Sequence, residues 1–308
     1  MDNTKTFPVK KLPTKQERHQ LFGSVKPAPK SKPVDKKYMA DLQNTKKDFL
    51  FALDAVGITK VKHPIMINST IAPYTQTSIG SFTFTSSLKQ TNKGTNMSRF
   101  NEQLADYHAR GFSTDLNVLK SFTKELANRL EQPDAYMEVS FPWFYERQAP
   151  DTGLAGLNHA DASIKMKYDE DRGVNIQLAL TVAIATLCPC SKEISEYSAH
   201  NQRGNVTIDI SVDEQFAETE FDWKEVLLEA AESNASARLH PILKRTDEKR
   251  VTEQAYENPR FVEDMVRLIA ADLYETPFIT KFKVSCQNEE SIHMHDAFAT
   301  ITYDKTKN

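Results

Sequence analysis

The chain has 308 residues, with 39% hydrophobic and 26% charged positions, enough for one large domain or two moderate ones at roughly 100 to 200 residues each. With 39 basic against 42 acidic residues the net charge is -3, so no global field exists to hold a nucleic-acid backbone, and no run approaches the roughly 18 apolar residues of a membrane helix. Three cysteines give no disulfide framework, and the opening MDNTKTFPVKKLPTK has no apolar run behind its charges, which together point to the cytoplasm.

Residues 1–37 hold ten Lys or Arg against three Asp or Glu, with five prolines. Such a segment buries too little to offset its ordering entropy, so residues 1–40 are expected to form a variable, mobile basic tail. Regular structure begins after it. GITKVKHPIMI (57–67) and TSIGSFTFTSSL (77–88) alternate in polarity and read as strands. SRFNEQLADYHARG reads as a helix closed by Gly111; the next opens near Ser113 and Thr114, puts Leu116, Leu119, Phe122, Leu126 and Leu130 on one face, and stops at Pro133. AYMEVSFPWFYERQ (135–148) and HADASIKMKYD (159–169) look like two further strands.

The second half repeats the order. Strands are predicted over 173–187 and 204–212, a helix from about Asp222, another after Pro259, and strands over 278–287 and 295–304. Two successive ββααββ units, 41–171 and 172–308, are the most economical description. Antiparallel strands with helices segregated to one face make this an α+β architecture. No GxGxxG or GxxxxGK[ST] occurs and there are only nine glycines, so a nucleotide would have to be held by side chains.

The chemistry concentrates in LCPCSKEISEYSAHNQRGN, where Cys188, Cys190 and His200 fall within 13 residues at the end of a strand. Thiolate and imidazole suit zinc, manganese or iron(II) when a carboxylate joins them, and three protein ligands plus water is the catalytic pattern. Alternation would put both cysteines on one face, too close in sequence to share one ion, so one is expected on the metal and one beside the substrate. The competing reading is two small buried hydrophobes where Pro189 ends a strand. A second cluster, LKRTDEKRVTEQAYENPRFVED, reads mainly as solvated helix faces, but adjacent Lys244 and Arg245, placed on a turn, can hold a triphosphate. In ESIHMHDAFA, His293 and His295 are expected on one strand face beside Glu290, a set able to move protons near neutral pH. Cys286 sits at an inward strand position.

These segments, with KGTNMSRF at 93–100, resemble the type IB GTP cyclohydrolases, enzymes of the tunnelling fold (T-fold), over residues 93–299. The resemblance implies tandem T-fold units and hydrolytic opening of the guanine imidazole ring of GTP. Formate is lost and 7,8-dihydroneopterin triphosphate forms, for folate and 7-deazaguanosine tRNA synthesis. It implies one divalent metal per site (Zn, Mn or Fe(II)) on Cys188, His200 and Glu248, with Cys190 against the substrate. Glu263 would anchor the guanine, His293 would be a catalytic acid or base, and Glu290 a lesser candidate. Arg99 would meet phosphate; Asn96 stands where the family often has His, so no histidine role carries over. A homotetramer with active sites between subunits is expected, since T-fold sheets remove their edges by association. Alternatives are a cyclohydrolase giving a cyclic-phosphate product, a metal-free NADPH-dependent nitrile reductase of the same fold, and a non-catalytic purine- or metal-binding module.

Overall fold

The structure, a computed structural model, describes residues 10–27, 33–218 and 221–307. Its centre is one eight-stranded sheet in which every strand pairs antiparallel with its neighbour in chain order, β1 to β8. The strands are β1 (Leu53–Asn68), β2 (Thr75–Leu88), β3 (Asp134–Gln148), β4 (Ala155–Asp169), β5 (Gly173–Leu187), β6 (Asn201–Val212), β7 (Ile279–Asn288) and β8 (Ala297–Asp304). All eight were predicted. Strands β4 and β6 start earlier than expected, because Ala155 still pairs with Gln148 and Asn201 with Leu187.

The helices are α1 (Lys15–Leu21), α2 (Ser98–Ala109), α3 (Leu116–Leu130), α4 (Pro189–Ile194), α5 (Trp223–Ser233), α6 (Arg245–Glu257) and α7 (Val262–Glu275). Helix α3 forms because its five predicted apolar positions are all buried, and because the Asp115 carboxylate accepts from the N–H groups of Asn117 (2.9 Å) and Val118 (3.1 Å). It ends before Pro133, at Glu131, whose φ of 57° is left-handed. Alternation on β5 buries Ile176, Leu178, Leu180, Val182 and Ile184, and these join Leu227 of α5 and Ile269 of α7 in one continuous core that also holds Phe122 of α3. The two ββααββ halves thus share one sheet and one core, with α4 and α6 added in the second half.

Two polar clasps cross between the halves. Asp222, the cap of α5, accepts from Ser69 Oγ (2.9 Å) and Thr70 N–H (3.0 Å) of the β1–β2 loop. Glu232 on α5 is buried against Arg147 and accepts from the Tyr145 hydroxyl at 3.2 Å, both partners lying on β3.

Inside the expected mobile tail, Thr14 and Glu17 cap α1 reciprocally (Thr14 N–H to Glu17 2.8 Å; Glu17 N–H to Thr14 Oγ1 3.3 Å). Phe22 then packs on Phe49 with ring centroids 5.9 Å apart. That expectation is corrected for Lys15–Leu21; residues 1–9 and 28–32 lie outside the described residues.

Candidate active site at the end of β5

β5 ends at Leu187, and Cys188, its own backbone still extended, is the last residue before a helix. It is the N-cap of α4, with Pro189 at the first helical position, where its fixed φ suits a helix start. The strand-face argument for the two cysteines is therefore corrected: Cys190 lies one residue inside α4, exposed, while Cys188 is half-buried at its head. Cys188 Sγ accepts from Ser191 N–H at 3.5 Å. Its own N–H donates to the carbonyl of His200 at 3.1 Å, and Ser191 Oγ bridges the two, donating to Cys188 O (3.1 Å) and accepting from His200 N–H (3.2 Å). The thirteen-residue excursion is thus closed at its base, with the thiol and the imidazole on adjoining backbone.

Beyond it, His200 Nδ1 lies 3.0 Å from Gln202 Oε1, and Gln202 Nε2 donates to Thr186 Oγ1 at 3.1 Å. Ser291 Oγ stands 3.4 Å from the same Nδ1, so the β7–β8 turn with Glu290 and His293 is brought to His200. His293 and His295 are not on a strand as expected. They sit in the turn before β8, exposed, with rings stacked at 4.9 Å. β8 starts only at Ala297, so alternation in sequence misled.

The α6–α7 segment flanks the same end. Arg260 N–H donates to the carbonyl of Leu187 at 3.0 Å, which sets the first turn of α7, and exposed Glu263 with it, beside the close of β5. Lys192 of α4 donates to the carbonyl of Tyr256 at 2.6 Å, joining α4 to the end of α6. Lys244 and Arg245 are not on a turn: they are the N-cap and first residue of α6, both exposed. Asp247, fully buried, accepts from Asp151 N–H (2.8 Å), Thr152 N–H (2.9 Å), Thr152 Oγ1 (2.8 Å) and Lys244 N–H (2.9 Å). Burial pushes its carboxyl up, and these four donors outweigh burial and hold it well below the ordinary carboxylate range. Glu248 next to it is exposed and meets Arg245 at 3.4 Å.

Cys188 and His200 fit a divalent metal: a thiolate and an imidazole whose Nδ1 is engaged and whose Nε2 carries no hydrogen bond among the described residues. The chain does not bring Glu248 to them, and among the described residues no three His, Cys, Asp or Glu side chains are gathered in a metal cluster. The Arg245–Glu248 contact is a surface pair of little strength, so it opposes no swing of that carboxylate. Arg99 is also apart. It donates to the carbonyl of Arg129 (2.7 Å) and to Glu131 (3.1 Å) at the end of α3, lining with Asn96, Lys46 and Lys89 a polar cleft of about 490 Å³ to which no residue after Gln132 contributes. Cys286 is a buried hydrophobe with its thiol pushed up to about 12 by burial.

Sequence reasoning missed Gln202, Ser291, Asp247 and Lys192. Gln202 had a signal, since a residue two beyond His200 on an extended segment shares its face. Asp247 had none, because nothing in a charged run marks the one carboxylate that is buried.

The profile of the family described as "Type I GTP cyclohydrolase folE2" matches residues 39–299. The chain belongs to that family. It is 66% identical over 300 residues to the GTP cyclohydrolase FolE2 of Oceanobacillus iheyensis, covering 97% of this chain and 99% of that one. With the FolE2 of Bacillus subtilis the identity is 51%, covering 96% of each chain. Among solved structures, a uricase from Bacillus fastidious aligns with a TM-score of 0.51 at 10% identity, over 82% of this chain and 93% of that one. That likeness concerns the fold alone and agrees with the tandem T-fold arrangement expected for a FolE2 chain.

Proposed function

We propose that this FolE2-family chain is a GTP cyclohydrolase I, converting GTP and water to 7,8-dihydroneopterin triphosphate and formate in the cytoplasm, at the start of folate and 7-deazaguanosine tRNA synthesis. The observation that carries the reading is full-length identity to FolE2 enzymes together with the closed Cys188–His200 pair at the end of β5. No helix among the described residues is long and apolar enough to cross a membrane.

Cys188 and His200 Nε2 would hold a divalent metal, with Glu248 the third ligand once its side chain leaves Arg245. Zn, Mn and Fe(II) all suit such a set. A metal so bound would supply a water whose pKa is lowered to about 7. Glu263 pairs with the amino and ring N–H groups of guanine, which adenine cannot match. Cys190 lies against the purine. His293, with Glu290 below it in the turn, moves protons at the ring atoms as the imidazole ring opens and formate departs. Lys244 and Arg245, exposed at the head of α6, meet the triphosphate.

The sheet ends in two edge strands, β1 and β8, β1 being bridged on its outer side at Met66 by Phe112 and Thr114, and association would cover the edges that remain. The assembly we propose is a homotetramer with sites between subunits, which would allow the cleft holding Arg99 and Asn96 to face a neighbour's Cys188. The test is incubation of metal-loaded protein with GTP, reading formate and the phosphate form of the pterin. A linear triphosphate is expected. A cyclic phosphate would replace this product assignment, activity surviving full metal removal would sink the metal reading, and a fully active monomer in sedimentation would sink the tetramer.

A further inference from the structure

His200 has two ring nitrogens, and only an unprotonated one can bind a cation. Its Nδ1 lies 3.0 Å from the amide oxygen of Gln202, an atom that accepts and never donates. The other end of the amide is tied as well: Gln202 Nε2 donates at 3.1 Å to the hydroxyl of Thr186 across the β5–β6 pair. Gln202 is 8% exposed and Thr186 0%, so water does not compete for these groups. Turning the amide would reverse both bonds, with Nε2 donating to Nδ1 and the Thr186 hydroxyl donating to Oε1, which is the Nε2–H arrangement that the experiment below distinguishes. Ser291 Oγ, 3.4 Å from the same Nδ1, is a longer contact on the same side, able to accept from an N–H there.

We propose that Gln202 is a positioning residue that fixes His200 as the Nδ1–H tautomer, so that Nε2 is presented as a lone pair to a divalent cation. In the orientation this requires, the Thr186 hydroxyl is the acceptor for Gln202 Nε2. The cation half of the proposal rests on the metal reading above. A carboxamide does here what a carboxylate or backbone carbonyl does behind many metal-binding histidines, with no added charge.

The experiment compares the whole protein with Gln202→Leu and Gln202→Glu. Solid-state nitrogen-15 spectra of histidine-labelled, metal-free protein, at a pH where the ring is neutral, give the tautomer of His200, assigned by its loss in His200→Ala. Zinc affinity is read by competition with a coloured chelator. Wild type is expected as the Nδ1–H tautomer, and Gln202→Glu, still an acceptor facing Nδ1, keeps it. Gln202→Leu is expected to lose it and to weaken zinc binding by about 10–100-fold, while Gln202→Glu retains tight binding. An Nε2–H tautomer in wild type, or an unchanged tautomer in Gln202→Leu, overturns the proposal; if Gln202→Leu does not fold, the wild-type and Gln202→Glu spectra still decide it. A tautomer governed by Gln202 with no measurable zinc binding in wild type overturns the cation half and the metal reading, and leaves the tautomer assignment standing.

Discussion

The buried carboxylate of Asp247 accepts from the backbone N–H of Thr152 at 2.9 Å, so the head of α6 is fastened to the β3–β4 turn of the other half of the chain. Arg250 adds a second tie one turn along, 2.7 Å from Asp151. Since α6 carries Lys244, Arg245 and Glu248, the placement of these three depends on a loop about one hundred residues earlier in sequence.

Asp247→Ala is therefore expected to lower cyclohydrolase activity by about tenfold or more, in the way that loss of an outer partner of a ligand does, and to lower the thermal midpoint. Asp247→Asn keeps an acceptor for some of the four donors and should fall between. Steady-state formate release and a melting curve on the same samples check this; unchanged activity in Asp247→Ala would show that α6 needs no such anchor.

Burial raises the Glu232 carboxyl above its ordinary value, with Arg147 opposing it. Removing Arg147 leaves that charge buried without its partner, and Arg147→Met should cost about 3–5 kcal/mol in denaturant unfolding. Glu232→Gln removes the charge that burial disfavours and should cost clearly less. Equal losses in the two variants would refute the account.

At the site itself, Cys188→Ala and His200→Ala should each abolish formate release while leaving the melting curve near that of wild type, and a chelator should do the same reversibly. Glu263→Gln keeps the shape but not the charge facing guanine, and should lower kcat/KM for GTP by about 10–100-fold. Formate release by the Cys188→Ala protein at the wild-type rate would favour a site in which that thiol is structural.

The thiols separate by environment. Cys190 and Cys188 should react with a disulfide reagent in the native metal-free protein, whereas Cys286 should react only after unfolding. The Cys286 thiol is pushed from 9.0 to about 12 by burial. Between those values the unfolded chain has lost a proton that the folded one keeps, so stability should fall as pH rises above about 9. Cys286→Ala should flatten that decline in urea unfolding; an identical slope in both proteins would reject the assignment.

The strands and the helices with an apolar face were legible because burial writes a period into the sequence. β5 shows it in Ile176, Leu178 and Leu180, and α3 in Leu119, Phe122 and Leu126. α6 was legible only as solvated helix faces, without bounds or a buried side, because only Asp247 and Ala255 of its thirteen residues are buried. α4 was hidden because Pro189 signals a strand's end and a helix's start alike. The site's three segments were visible as motifs, but their meeting was not. It depends on single contacts between distant residues, such as Arg260 N–H with the Leu187 carbonyl and Ser291 with His200, which leave no periodic trace.

The three acids that grip the first half, Asp222, Glu232 and Asp247, all belong to α5 and α6 of the second. During synthesis the first four strands leave the ribosome before any of these acceptors exists, and the donors of Ser69, Thr70, Tyr145, Asp151 and Thr152 must wait in water for them. The tandem units are thus a single folding partnership. A chain cleaved within the turn at residues 170–172 should yield halves that hold their loops in place only after they are mixed.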